Sequence, residues 1–190
     1  MLDIVTGIIL KPVETFRQIK GKKLFWLATL VLIVSLSPVW NISNTEVWIG
    51  RPTAIVLFEY LVGSLLGFVS MGIYALIVFP ISRLINGTGS FLDTYQALGF
   101  SVLPCLFTAP VMVLRFLTAS LGFLTSVLDL IELGLICWTI VLGVIALREV
   151  HQLTTGRAVS AYVSPFVVLF LLLGLVVFII TLVAGSLIGM

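Results

Sequence analysis

Apolar residues run in long unbroken stretches along this chain, and polar residues gather in the short connectors between them. Continuous apolar runs, without the alternation of a half-buried strand, read as helices. Five of them, Leu24–Trp40, Ala54–Ser82, Phe91–Phe116, Val127–Leu147 and Pro165–Leu187, suit the roughly 30 Å hydrocarbon core of a bilayer, which takes about 20 helical residues. The first is short and is extended toward Asn44. A helix also satisfies its own backbone hydrogen bonds where no water reaches. The expected fold class is an all-α membrane protein with five transmembrane helices.

The connectors carry punctuation. Ser90-Phe91-Leu92-Asp93 has the pattern of a capping box at the start of the third span, hydroxyl and carboxylate each reaching an orphan N–H. Ser164-Pro165 places a cap residue before a first-turn proline at the fifth. Pro104 and Pro110 are expected to kink the third span. Asn86-Gly87-Thr88-Gly89 is turn chemistry and, with no strand before it, not a phosphate loop. Ahead of the first span, Val13, Phe16 and Ile19 recur at helical spacing, with Glu14, Arg17, Gln18 and Lys20 on other faces. Pro12 opens this amphipathic segment and Gly21 stops it. The expectation is a short interfacial helix lying flat, its apolar side among the headgroups. The chain thus divides into an N-terminal segment, 1–23, and a five-helix domain, 24–190.

Composition agrees: of 190 residues 61% are hydrophobic and only 9% charged, more apolar surface than a soluble domain of this size can hide. The formal charge of +2 is too small to suggest a nucleic-acid partner. Its placement is more informative. Lys11, Arg17, Lys20, Lys22, Lys23, Arg83, Arg148 and Arg157 fall on one side of the expected membrane, and only Arg51 and Arg115 on the other. Basic residues favour the cytoplasmic side, so the N-terminus is expected inside, the C-terminus outside, and the protein in the plasma membrane. The first ten residues lack a basic n-region, so no cleavable signal is expected. Cys105 and Cys137 lie in apolar runs without a CxxC or Cys/His cluster, which points away from a disulfide framework or zinc site.

Three motifs carry a resemblance. Leu10-x-Pro12-x-x-Thr15-Phe16-x-x-Ile19 precedes the first span; Gly87-Thr88-Gly89-Ser90-Phe91 leads to Gly99-Phe100-x-x-x-Pro104; and Ala146-Leu147-Arg148-Glu149-Val150-His151-Gln152-Leu153-Thr154-Thr155-Gly156-Arg157-Ala158-Val159 follows the fourth span. Together they resemble a prokaryotic member of the Yip1 family of five-span membrane proteins, from about Leu2 to the last span. Phe100 stands where the family often has Tyr. The resemblance implies a membrane-traffic relationship in eukaryotes, with small prenylated GTPases as partners. The acidic N-terminal domain and the Asp-Leu-Tyr-Gly-Pro motif of those relatives are absent here, and the GTPase partner is not carried over.

Two groups of residues are candidates for function. The first is the polar segment after the fourth span together with the preceding turn: Arg148, His151, Thr155, Gly156 and Arg157, with Gly87 and Gly89, forming a cytoplasmic contact surface. Guanidinium forks there suit lipid phosphate or an acidic partner, and Gly156 would admit a close approach. His151 is read as a solvated loop histidine or one bonded to the 86–90 turn. It lies roughly 30 Å along a helix from Asp129 and Glu132, too far for a shared catalytic site. The second group is Glu59, Arg115, Asp129 and Glu132 near the outer ends of the spans, an ion-paired cluster or, alternatively, part of a cation or proton path. The expected function is non-enzymatic: binding partners or organising membrane through the cytoplasmic loops. The alternative is a small transporter or channel component. No cofactor, metal or catalytic residue is expected. The expected partners are the bilayer, anionic lipid, a membrane or cytoplasmic protein, or a second copy; Gly63–Gly67 and Gly185–Gly189 are small-xxx-small patterns that suit helix packing within the chain or between two copies.

Overall fold

A computed structural model describes residues 2–36, 53–118 and 120–188, and these hold helices without a strand. The helices are α1 (Leu2–Leu10), α2 (Pro12–Ile19), α3 (Phe25–Leu36), α4 (Thr53–Leu84), α5 (Phe91–Ser101), a 3-10 segment (Leu103–Phe107), α6 (Thr108–Leu117), α7 (Gly122–His151) and α8 (Thr155–Ile188). Four stretches, Leu57–Leu84, Phe91–Leu117, Gly122–His151 and Thr155–Leu182, are long and apolar enough to cross a membrane, and Phe25–Leu36 is a shorter apolar helix. The end of the first expected span, with Trp40 and Asn44, lies outside the described residues, as do Arg51 and Gly189.

The core is built around α5. Every residue from Thr94 to Ser101 is buried, because α5 is surrounded by α3, α4 and α7. One apolar cluster joins Phe16, Ile19, Ala28, Phe100, Leu103 and Val150; another joins Ala75, Val78, Tyr95, Leu98, Leu147 and Ala158. A close approach of α7 and α8 is made at Gly143, where the ring of Tyr162 occupies the space a Cβ would need. The Tyr74 hydroxyl donates to the Tyr162 carbonyl and ties α4 to the same point.

Proline explains how the third span breaks. Pro104 offers no N–H to the carbonyl of Phe100, and the chain tightens into the 3-10 segment. There Cys105 N–H donates to Val102 O at 2.9 Å, and the Thr108 hydroxyl to Cys105 O at 2.6 Å. Pro110 is the third residue of α6, where its missing donor is tolerated, so the bend belongs to Pro104.

Two expectations are corrected. Ser164-Pro165 does not start a helix, because α8 runs continuously from Thr155 with Pro165 inside it. The carbonyl that Pro165 leaves without its usual donor is that of Ala161, and the Ser164 hydroxyl donates to it at 2.6 Å. The apolar face of α2 is turned to protein rather than headgroups. Phe16 is 0% and Ile19 2% exposed, packed on α7 and α5. Burying such side chains stabilises by about 1.5–3 kcal/mol each. Ahead of it, Leu2–Leu10 forms a helix that the sequence reading does not mark, with Ile8 buried against the same cluster.

Candidate functional site

At one end of the bundle, two helix termini are closed by residues in left-handed backbone. α4 ends at Leu84, and Asn86 (φ 68°) turns the chain so that Gly87 N–H returns to Ser82 O at 2.8 Å and Asn86 N–H to Arg83 O at 3.1 Å. This is a Schellman closure with Asn where Gly is usual. α7 ends in the same way: Gln152 (φ 57°) lets Leu153 N–H reach Arg148 O at 3.0 Å.

The two turns are bolted together through His151. Its backbone carbonyl accepts from Thr88 N–H at 3.0 Å. Its ring is 0% exposed and lies against Gly87 and Gly89, where a Cβ would come within 2.9 and 3.0 Å of Nδ1. Nε2 is 2.8 Å from the Thr94 hydroxyl, which itself donates to Ser90 O at 2.9 Å. With its proton committed there, the hydroxyl accepts, so His151 carries hydrogen on Nε2 and Nδ1 is a buried acceptor without a partner in the described residues. The last turn of α7 is charged, and its 30 residues make about 45 Å, longer than the roughly 30 Å hydrocarbon layer, which suits His151 to the aqueous side of the interface. Burial, seconded by repulsion from Lys20 and opposed by Asp93, pushes its pKa down to about 4, and the ring is neutral near pH 7.

Residues of α2 and of the turn that follows it join this frame. Glu149, only 9% exposed at its side chain, receives Arg17 on one oxygen (Nη2 at 2.9 Å, Nε at 3.1 Å) and Arg148 on the other (Nη2 at 2.8 Å, Nε at 2.9 Å). Lys20 Nζ donates to the Thr88 hydroxyl at 3.0 Å, and Gly21 N–H to Asp93 Oδ1 at 2.8 Å. Asp93 also completes the expected capping box with Ser90. Gln96, fully buried, accepts from Leu24 N–H at 3.1 Å at the start of α3.

Thus the structure brings Arg148, His151, Gly87 and Gly89 together. His151 serves from inside and presents no ring surface. Thr155, Gly156 and Arg157 are exposed on the first turn of α8. Space around Gly156 is open, so no close approach within the chain requires it. Arg157 forms no ion pair among the described residues. Sequence reasoning missed Arg17, Lys20 and Thr94 as members, and took in Thr88 and Glu149 only as parts of the turn and of the polar segment. The capping box and the amphipathic stripe named neighbours of some of them, but nothing local signals a bond between residues 132 apart, as Arg17 and Glu149 are.

The second group is distant, about 25 Å or more along α7. Arg115 Nη2 holds Asp129 Oδ1 at 2.6 Å and Glu132 Oε2 at 2.8 Å. Glu59 is exposed on α4, a helix that packs mainly on α3, α5 and α8. Among the described residues no group of His, Cys, Asp and Glu is arranged to hold a metal ion, and Cys105 and Cys137 are free thiols.

Comparison with curated proteins and with solved structures gives no significant match. Among family descriptions, the Yip1 domain matches residues 6–185. That range takes in α2, the four described stretches long and apolar enough to cross a membrane and the platform around His151, and the chain belongs to the Yip1 family of multi-pass membrane proteins.

Proposed function

We propose that this protein works without catalysis, as a partner-binding or membrane-organising protein, and that the platform joining α2, the 86–90 turn and the α7–α8 junction is its contact surface. By the distribution of basic residues this end faces the cytoplasm, with the plasma membrane as the site of action. The observation that carries the reading is a polar surface whose side chains are tied by hydrogen bonds and ion pairs across three chain segments. His151, Thr88, Glu149 and Asp93 lock three chain segments together, while Thr155 and Arg157 remain exposed beside them. Such a surface holds side chains in fixed positions before a partner arrives, which lowers the ordering cost of binding. A transport path through the acids has less support, because Arg115 already engages Asp129 and Glu132.

The test is photo-crosslinking in membranes from positions on the 153–160 segment, in the wild type and in Arg157→Ala. The expected result is a crosslinked partner that the variant loses while its thermal stability is unchanged. An identical crosslinking pattern in both proteins refutes the assignment of this surface.

A further inference from the structure

Between α2 and the end of α7 lies a cleft of about 380 Å³, lined by Arg17, Lys20, Arg148, Glu149, Gln152 and Leu153. That volume falls within the about 300–1,000 Å³ of small-ligand sites. It would admit one phosphorylated headgroup but not a protein surface. Three cations face one carboxylate, so the cleft carries an excess of positive charge. The carboxylate is not free to repel an anion, because each Glu149 oxygen is occupied by the Nε and Nη2 side of a different guanidinium. This arrangement fixes both arginines and leaves their Nη1 edges with donors to spare. Lys20 is anchored through a single bond to Thr88, with two more donors available.

From this geometry we infer that the Arg17–Lys20–Arg148 cleft is a binding site for a phosphate oxyanion, of the kind carried by an anionic lipid headgroup or by free phosphate. The inference deepens the reading of this end as the contact surface and rests on it. Glu149 acts as the positioning residue. It orders two forks at the depth where the apolar part of α7 ends, which is where lipid phosphates lie. Convergent donors held in place bind oxyanions more strongly than mobile surface lysines do.

The experiment uses the full chain purified in a neutral detergent. Thermal-shift titrations are run with short-chain phosphatidylglycerol, with phosphatidylcholine of the same chain length, and with inorganic phosphate. A saturable rise in Tm with phosphatidylglycerol and not with phosphatidylcholine is expected. A matching rise with inorganic phosphate assigns the source to free phosphate; its absence assigns it to the lipid headgroup. At about 1 kcal/mol per basic residue, the double variant Arg17→Gln/Lys20→Gln weakens binding about thirtyfold, and Lys20→Gln alone about fivefold. The charge-matched variant Lys11→Gln/Lys23→Gln, on exposed positions that do not line the cleft, leaves affinity nearly unchanged. Equal weakening by both double variants overturns the site in favour of diffuse surface charge, as does the absence of a Tm shift with either phosphate. In either of those cases the Arg157-dependent crosslink is unaffected, so failure here is distinct from failure of the contact surface as a whole.

Discussion

Substitution of Gly87 by Ala probes the joint on which the platform depends. A Cβ at this position would stand 2.6 Å from Ser82 O, 2.9 Å from His151 Nδ1 and 3.1 Å from His151 Cβ. The ring has nowhere to retreat, being fully buried and held to Thr94. The carbonyl has less freedom still, because it is the acceptor of Gly87's own N–H at 2.8 Å. Relief therefore requires opening the closure of α4. Overpacking costs about 1–3 kcal/mol and the weakened hydrogen bond about 1 kcal/mol, together roughly 2–4 kcal/mol. For a chain of this size each kcal/mol moves Tm by about 2–4 °C, so a fall on the order of 10 °C is expected. The assay is thermal unfolding in detergent followed by circular dichroism, with Gly156→Ala as its companion. Gly156 sits in the first turn of α8, and a Cβ added there would meet nothing within 4 Å. Ala at that position is expected to be neutral or stabilising by up to about 1 kcal/mol. The reasoning is refuted if Gly87→Ala unfolds within a degree or two of the wild type, or if the two variants lose the same stability.

Three other expectations follow from the same structure. His151 has its pKa lowered from 6.5 to about 4, so the unfolded chain takes up a proton before the folded one. The stabilisation contributed by neutral His151 is full above about pH 6.5 and is lost as pH falls toward 4, by roughly 3 kcal/mol; a His151→Gln variant whose urea-unfolding profile keeps the same slope over that window would contradict this. Gln152 holds a left-handed backbone (φ 57°) that suits glycine, so Gln152→Gly should raise stability by about 1 kcal/mol, measurable as a higher Tm. Gly143→Ala would place Cβ 2.3 Å from Tyr162 Cε2, and a loss of about 1–3 kcal/mol is expected, with Gly143→Ala/Tyr162→Ala losing less than the sum of its parts in a double-mutant cycle.

The spans were legible because each is a long apolar run with polar punctuation, and the capping box at Ser90 and Asp93 was legible because it is local. What was hidden depends on partners far away in sequence. Ser164-Pro165 has the form of a helix start, and only the hydroxyl bond to Ala161 O shows how the helix continues through it. Leu2–Leu10 carries too short an apolar run to stand alone, and it is helical where α2 and the 3-10 segment cover Ile8. The segment 147–159 stands out in the sequence as a polar stretch between two apolar runs. Its histidine is polar by type yet buried, since the requirement it meets, a neutral ring between two glycines, is set by the 86–90 turn and is invisible within the segment itself.

The 34-residue α8 is gripped only near its base, through Ala158, Ala161, Tyr162 and Ser164, and stands almost bare from Phe166 to Leu182. At about 51 Å it overreaches a 30 Å hydrocarbon layer, and a helix in that position answers the excess by leaning. Beyond the edge contact of Phe166 with the Tyr74 ring, the described residues cover little of that stretch, which leaves its inclination open to the lipid. Bilayer thickness therefore acts on this helix as on a mast stepped in a rigid deck: polarised infrared spectroscopy in thin and thick bilayers should record a change in its tilt, while the His151 joint below stays fixed.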